Sequence, residues 1–206
     1  MTSDSKNACR LAGERFFRLY HRHCVSPDDD TLFNLLNAIH SLNDKLHKAT
    51  SDNFFDCHEF IMLKALRNLF HHEAELINEV RSISVANLPI STDLMFLCLV
   101  PSNLVFKSID RLDKKRKVQD EAIIRSVLKW YGNVVNINPC LFNFAVHAFE
   151  KFRAIGFKIE GEEYAEFERS YHFEEAAGHS HFVTGDINCH AGHVEDVIAV
   201  AFADVT

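Results

Sequence analysis

The side chains best suited to chemistry at neutral pH stand together in one stretch, Lys64-Ala-Leu-Arg67-Asn68-Leu-Phe-His71-His72-Glu73. Histidine gains and loses a proton near neutrality, and the planar guanidinium of arginine gives paired hydrogen bonds to phosphate oxygens. The pair suits cleavage of RNA through its own 2′-hydroxyl. That reaction needs a proton carrier and a fixed cation for the phosphate charge that grows in the transition state, and it needs no metal. The products would be a 2′,3′-cyclic phosphate and a 5′-hydroxyl. On a straight helix the five-residue step from Arg67 to His72 turns through about 140°. Asn68 and His72 share a face, so Asn68 could orient the imidazole or bind phosphate; Arg67 and His71 share another. The geometry of a single helix therefore favours His71 as the partner of Arg67.

The R-N-x-x-x-H pattern formed by Arg67, Asn68 and His72, set in a helical context, resembles the signature of the HEPN-domain ribonucleases. These are small helical bundles, many of them toxins or antiviral effectors. The resemblance covers residues 54–82 and the helical setting. It implies a metal-independent endoribonuclease in which Arg67 stabilises phosphate, His72 does general acid–base work and Asn68 assists, with His71 the rival histidine. It implies no cofactor and no metal ligand. It also implies an RNA substrate and a homodimer, because the family's composite site forms when two domains bring their motifs face to face. An antitoxin or other regulatory partner would accompany such an enzyme. Members regulated by tyrosine modification carry that tyrosine two residues after the histidine; this chain has Ala74 there, so that regulation is not implied.

Two basic clusters could hold RNA phosphates: Arg15, Arg18 and Arg22 on one helical stripe, and the run Lys114, Lys115, Arg116, Lys117. The plainer alternative is a solvated surface, with Arg67 and His72 in ordinary ion pairs to Glu73, Glu75 or Glu79. That would leave a non-catalytic helical binding module. A third possibility is a di-iron bundle of the hemerythrin kind, with the i,i+4 pairs His40–Asp44 and His71–Glu75 as ligands. Its outer helices offer only His21, His23 and the pair His147–Glu150. In the C-terminal region His172, His179, His181, Cys189, His190 and His193 are numerous enough for a zinc site but match no common finger spacing. None of the six cysteines stands in an activating sequence context, and they read as small core residues.

Composition limits the remaining choices. The 206 residues carry a net charge of −7, which argues against a protein that coats nucleic acid by bulk electrostatics and leaves room for a local basic cleft. Seven glycines and four prolines are few for a loop-rich all-β fold. The longest apolar run, 94–100, falls short of the roughly 18 residues a membrane helix needs. With no signal-like N-terminus and scattered cysteines, the expectation is a cytoplasmic protein with reduced thiols.

The elements that must position these groups read as helices. Apolar spacings of three and four predict one helix over 6–23, a second from the acidic residues 28–30 to about 50, and a third over 53–82 that carries the motif. Residues 94–100 fit either a buried strand or a helical turn. Two further helices follow, the second ending at Gly132. A loop over 133–138 precedes an aromatic helix that Pro139 opens and Gly156 ends, and an acidic helix covers 162–177. The fold class expected is all-α: a helical bundle over 1–132, with a C-terminal helical extension over 133–206 packed on it as one domain.

Overall fold

The computed structural model describes residues 3–28, 30–72, 78–82, 90–94 and 96–202. The fold is mainly helical, and helices α1 (Ser3–Val25), α2 (Thr31–Thr50) and α3 (His58–His72) come first. Every leucine of the α2 stripe, together with Ile39, is at most 1% exposed, so the three-four spacing reports burial faithfully. Ser51 in the left-handed conformation ends α2, its N–H donating to the His47 carbonyl. α4 (Ser102–Asp110), α5 (Lys117–Val127), α6 (Asn138–Ala154), α7 (Glu162–Ala177) and α8 (Val194–Ala201) complete the helices described.

The chain is not purely α-helical. Strands β1 (Glu79–Ser82), β3 (Phe96–Pro101), β4 (Lys129–Tyr131) and β5 (Val134–Asn136) form an antiparallel sheet in the order β1-β3-β5-β4, and β2 (Ile90–Ser91) pairs with β6 (Asn188–Cys189). Three expectations are corrected here. The third helix spans 58–72 rather than 53–82, because Val80 pairs with Cys98 as a strand residue instead of extending the helical stripe. Trp130 lies in β4, not in a helix. Residues 134–136 are a buried strand rather than a loop: Val135 sits between Val100 and Trp130, where its branched side chain suits a pleated surface. The 94–100 run resolves as strand β3. The residues 73–77, which include Glu73, Ala74 and Glu75, and the Pro89 break lie outside the described residues.

A main core joins most of these elements, and a smaller cluster of Leu97, Leu99, Val134, Val197, Ala201 and Phe202 packs α8 on the sheet. Phe144 on α6 meets Phe16, Phe54 and Phe60 at centroid distances of 5.5, 5.1 and 6.0 Å. Phe149 packs on Tyr164, Phe167 and Tyr171. Such rings each bury large areas, and their edge-to-face contacts add to that burial. α1 approaches this core closely at Gly13, where a Cβ would lie 2.7 Å from the Ile159 methyl and 3.2 Å from the Phe152 ring. A larger residue there would require the Ile159 side chain to move and the Phe152 ring to give way. α3 is thus held on one side by α2 and on others by α4, α5 and α6.

Candidate functional site

The C-terminal half of α3 presents its chemistry on the side its apolar residues leave free. Leu63, Leu66, Leu69 and Phe70 face the core, while Lys64, Arg67 and Asn68 are half-buried and His71 and His72 exposed. Arg67 is held by amides. Its Nε donates to Asn37 Oδ1 on α2 at 3.2 Å, and one terminal nitrogen donates to Asn68 Oδ1 at 3.3 Å. Asn37 is itself fixed, since its Nδ2 donates to the Phe33 carbonyl at 3.0 Å and its oxygen is left to face the arginine. No carboxylate pairs with Arg67 among the described residues. Amide oxygens fix a guanidinium without cancelling its charge.

His40 on α2 belongs to the same cluster. It lies 3.4 Å from Asp44. Partial burial lowers its imidazole below the ordinary histidine range; the Asp44 carboxylate opposes this, and neighbouring Arg67, Lys64 and His71 add to the lowering. The structure therefore gathers Arg67, His71, Lys64, His40 and Asn37 around the α2–α3 contact. His72 meets His71 edge to face at 4.9 Å. Asn37 and His40 join the Arg67 site only through the packing of α2 on α3. Their three-residue spacing on α2 places them on one face, but nothing in the sequence says that this face meets Arg67.

Asn68 links the cluster to a neighbouring cleft of about 420 Å³. Lys64 and Asn68 of α3 line one wall; Arg111 and Arg116, from the α4–α5 connection, line the other, with Asp113 and Asp120 beside them. Of the basic run, Arg116 pairs with Asp120 at 3.1 Å and Lys117 with Asp110 at 3.0 Å, while Lys114 and Lys115 are exposed. Lys64 lies over the ring of Phe55 at 4.6 Å, which leaves an apolar shelf at the cleft edge. Arg15, Arg18 and Arg22 are exposed on α1, and Arg22 pairs with Asp28 at 2.6 Å. None of the three lines this cleft.

A second cavity, of about 290 Å³, has the opposite character. Tyr20, His23, Phe142, Phe167 and Tyr171 are among the side chains that wall it. Burial lowers His23 to about 4, and its Nδ1 lies 3.0 Å from Thr31 Oγ1. Burial also pushes the Cys24 thiol up to about 11. These groups are neutral at pH 7. The cavity is apolar and uncharged, except for Glu174 at its wall, which pairs with His181 at 3.0 Å.

The C-terminal histidines disperse. His172 pairs with Glu175, His181 stacks on Tyr171 at 3.6 Å, His193 lies near Asp196, and Cys189 sits in β6. Among the described residues, the group whose ligand atoms converge is instead Cys57, Glu59 and His147. No protein-family model matches the chain, and comparisons with curated proteins and with solved structures also return no match.

Proposed function

We propose that the protein is a metal-independent endoribonuclease of the HEPN type, acting as a toxin or antiviral effector. The observation that supports this most is the state of Arg67. It is clamped by two amide oxygens, left without a carboxylate among the described residues, and flanked by His40, Lys64 and His71. A guanidinium held by neutral amide oxygens keeps its positive charge for an anion, and a phosphodiester is an anion that guanidinium recognises well. In this reading Arg67 stabilises the phosphate, His72 moves the proton and Asn68 assists. His71 is the rival for the proton-transfer role, being the histidine that acts electrostatically on His40 alongside Arg67. Asn37 is a positioning residue for the guanidinium. Lys64, Arg111 and Arg116 offer the flanking phosphates a path along the adjoining cleft.

One histidine cannot serve as general acid and general base in the same step. Two copies packed with their α3 ends together would supply two histidines and two arginines to one groove, so the active form in this reading is a homodimer around the C-terminal part of α3. The protein should cleave single-stranded RNA in excess chelator, with Arg67→Ala and His72→Ala each lowering the rate by about 100-fold or more. Cleavage that stops on chelation, or that persists in both variants, overturns the assignment. A stable monomer cleaving at full rate independently of protein concentration removes the dimer.

The apolar cavity favours a second reading, a non-catalytic module that binds an apolar guest. Its neutral walls suit such a ligand and not RNA. That reading expects no hydrolysis and no effect of Arg67 beyond binding.

A further inference from the structure

At the opposite end of α3, three side chains of different chemistry meet. Cys57 immediately precedes the helix and is 7% exposed. Glu59 lies in the first turn with its side chain 14% exposed, and His147 reaches across from α6. The Cys57 Sγ lies 3.3 Å from Glu59 Oε2, and His147 Nε2 lies 3.3 Å from the same oxygen. The sulfur, nitrogen and oxygen all fall within 4.8 Å of one another. A tetrahedral zinc ion, with its usual bond lengths, sets its sulfur, nitrogen and oxygen ligands about 3.4–3.6 Å apart. Two contacts are already at about that spacing, and a small rotation of Cys57 or His147 would admit the ion between the three.

We infer that Cys57, Glu59 and His147 form a zinc site with one open coordination position. The donor set is the mixed sulfur, nitrogen and oxygen that zinc accepts, and thiolate plus carboxylate balance its two positive charges. The site is also supported from behind. Backbone N–H groups of Glu59 and Phe60 point at the Cys57 sulfur, and the Cys140 thiol lies 3.6 Å from the Glu59 carbonyl. The His147 ring packs against Phe182 at 4.8 Å. Contacts of this kind orient metal ligands. Beside the site lies a pocket of about 270 Å³ that Cys57 and His147 line together with Asp56, Glu150 and Lys151. Water could occupy the fourth position there. The Lys151 ammonium lines the same pocket, held by the Asn53 carbonyl at 2.7 Å and neutralised by the carboxylates of Asp52 at 3.2 Å and Asp56 at 3.6 Å. Binding would release the thiol proton to solvent. The site is separate from the Arg67 cluster, and the cleavage proposed above routes no step through it.

Cobalt(II) is the probe, because a cobalt thiolate bond is visible. Titrating the metal-free full chain should produce near-ultraviolet thiolate-to-cobalt charge transfer and the strong visible bands of a four-coordinate ion. Both should saturate at one equivalent and disappear when zinc is added. Cys57→Ser should abolish the charge transfer. His147→Gln, at a half-exposed position that leaves the core intact, should weaken cobalt binding by about tenfold or more. Cys189→Ser should bind as the parent does. No charge-transfer band at stoichiometric cobalt overturns the site, as does a band that survives Cys57→Ser or is lost in Cys189→Ser.

Discussion

The Arg67 cluster and the apolar cavity solve the problem of polar groups in opposite ways. In the cavity, burial wins: His23, 3% exposed, and the Cys24 thiol are held in their neutral forms, and His23 spends its polarity on Thr31. In the cluster, charge is kept. Arg67 is fixed by carboxamides, and Lys64 rests on an aromatic face, leaving both positive. The contrast teaches where each kind of ligand belongs. Desolvated neutral walls select an apolar guest, and clustered cations held by neutral groups select an anion.

The largest effect expected from this contrast is on the cluster side. Arg67→Ala should reduce RNA cleavage by about 100- to 1,000-fold. Because Arg67 is only half-buried and tied by two long hydrogen bonds to neutral amides, unfolding stability should fall by no more than about 2 kcal/mol. Asn37→Ala frees the guanidinium without removing it, so it should cut activity less than Arg67→Ala does. Equal losses in cleavage and in folded fraction would make the cluster structural and erase the contrast.

The next effect belongs to the cavity. The unfolded chain takes up a proton at a histidine near pH 6.5, whereas folded His23 stays neutral down to about 4. The stability that His23 contributes is therefore complete above pH 6.5 and is lost progressively as pH falls towards 4, up to about 3 kcal/mol. Urea unfolding at pH 7.5 and pH 4.5 should reveal this slope, and His23→Phe should flatten it. An unchanged slope in the variant would mean that His23 is not the neutral, buried group described.

A smaller effect should appear at the rim of the cleft. Arg116→Ala should weaken RNA binding a few-fold and reduce the steepness of its salt dependence by about one phosphate contact. Arg15→Ala on α1, remote from the cleft lining, should change neither cleavage nor the salt slope. If the two substitutions act alike, the RNA path does not follow the α4–α5 connection.

The helices were readable because their apolar residues recur with the period of burial: α2, α6 and α7 stand where the leucine stripe, Pro139 and the acidic run from Glu162 placed them. The short strands were not. A strand of three or four residues gives too few alternations to distinguish it from a helix end or a loop; Val80 and Val134 took their roles from Cys98 and Pro101, distant in the chain, and Trp130 from Val135 across a short turn. The site was half legible. Arg67, Asn68, His71 and His72 share one local stretch, so their spacing could be read directly. Asn37 and His40 join them only because α2 packs on α3. Cys57 and Glu59 meet His147 only because α6 crosses the start of that helix, a juxtaposition that no local pattern encodes.

The central claim, metal-free cleavage of RNA by the Arg67 cluster, is tested most directly by the ends of the products. End-labelled RNA would be incubated in excess chelator with the parent protein and with Arg67→Ala purified identically, and the fragments resolved by mass spectrometry. The account predicts 2′,3′-cyclic phosphate and 5′-hydroxyl ends from the parent and at least about 100-fold less product from the variant. Fragments with 5′-phosphate ends, equal cleavage by both proteins, or intact RNA with both would contradict it.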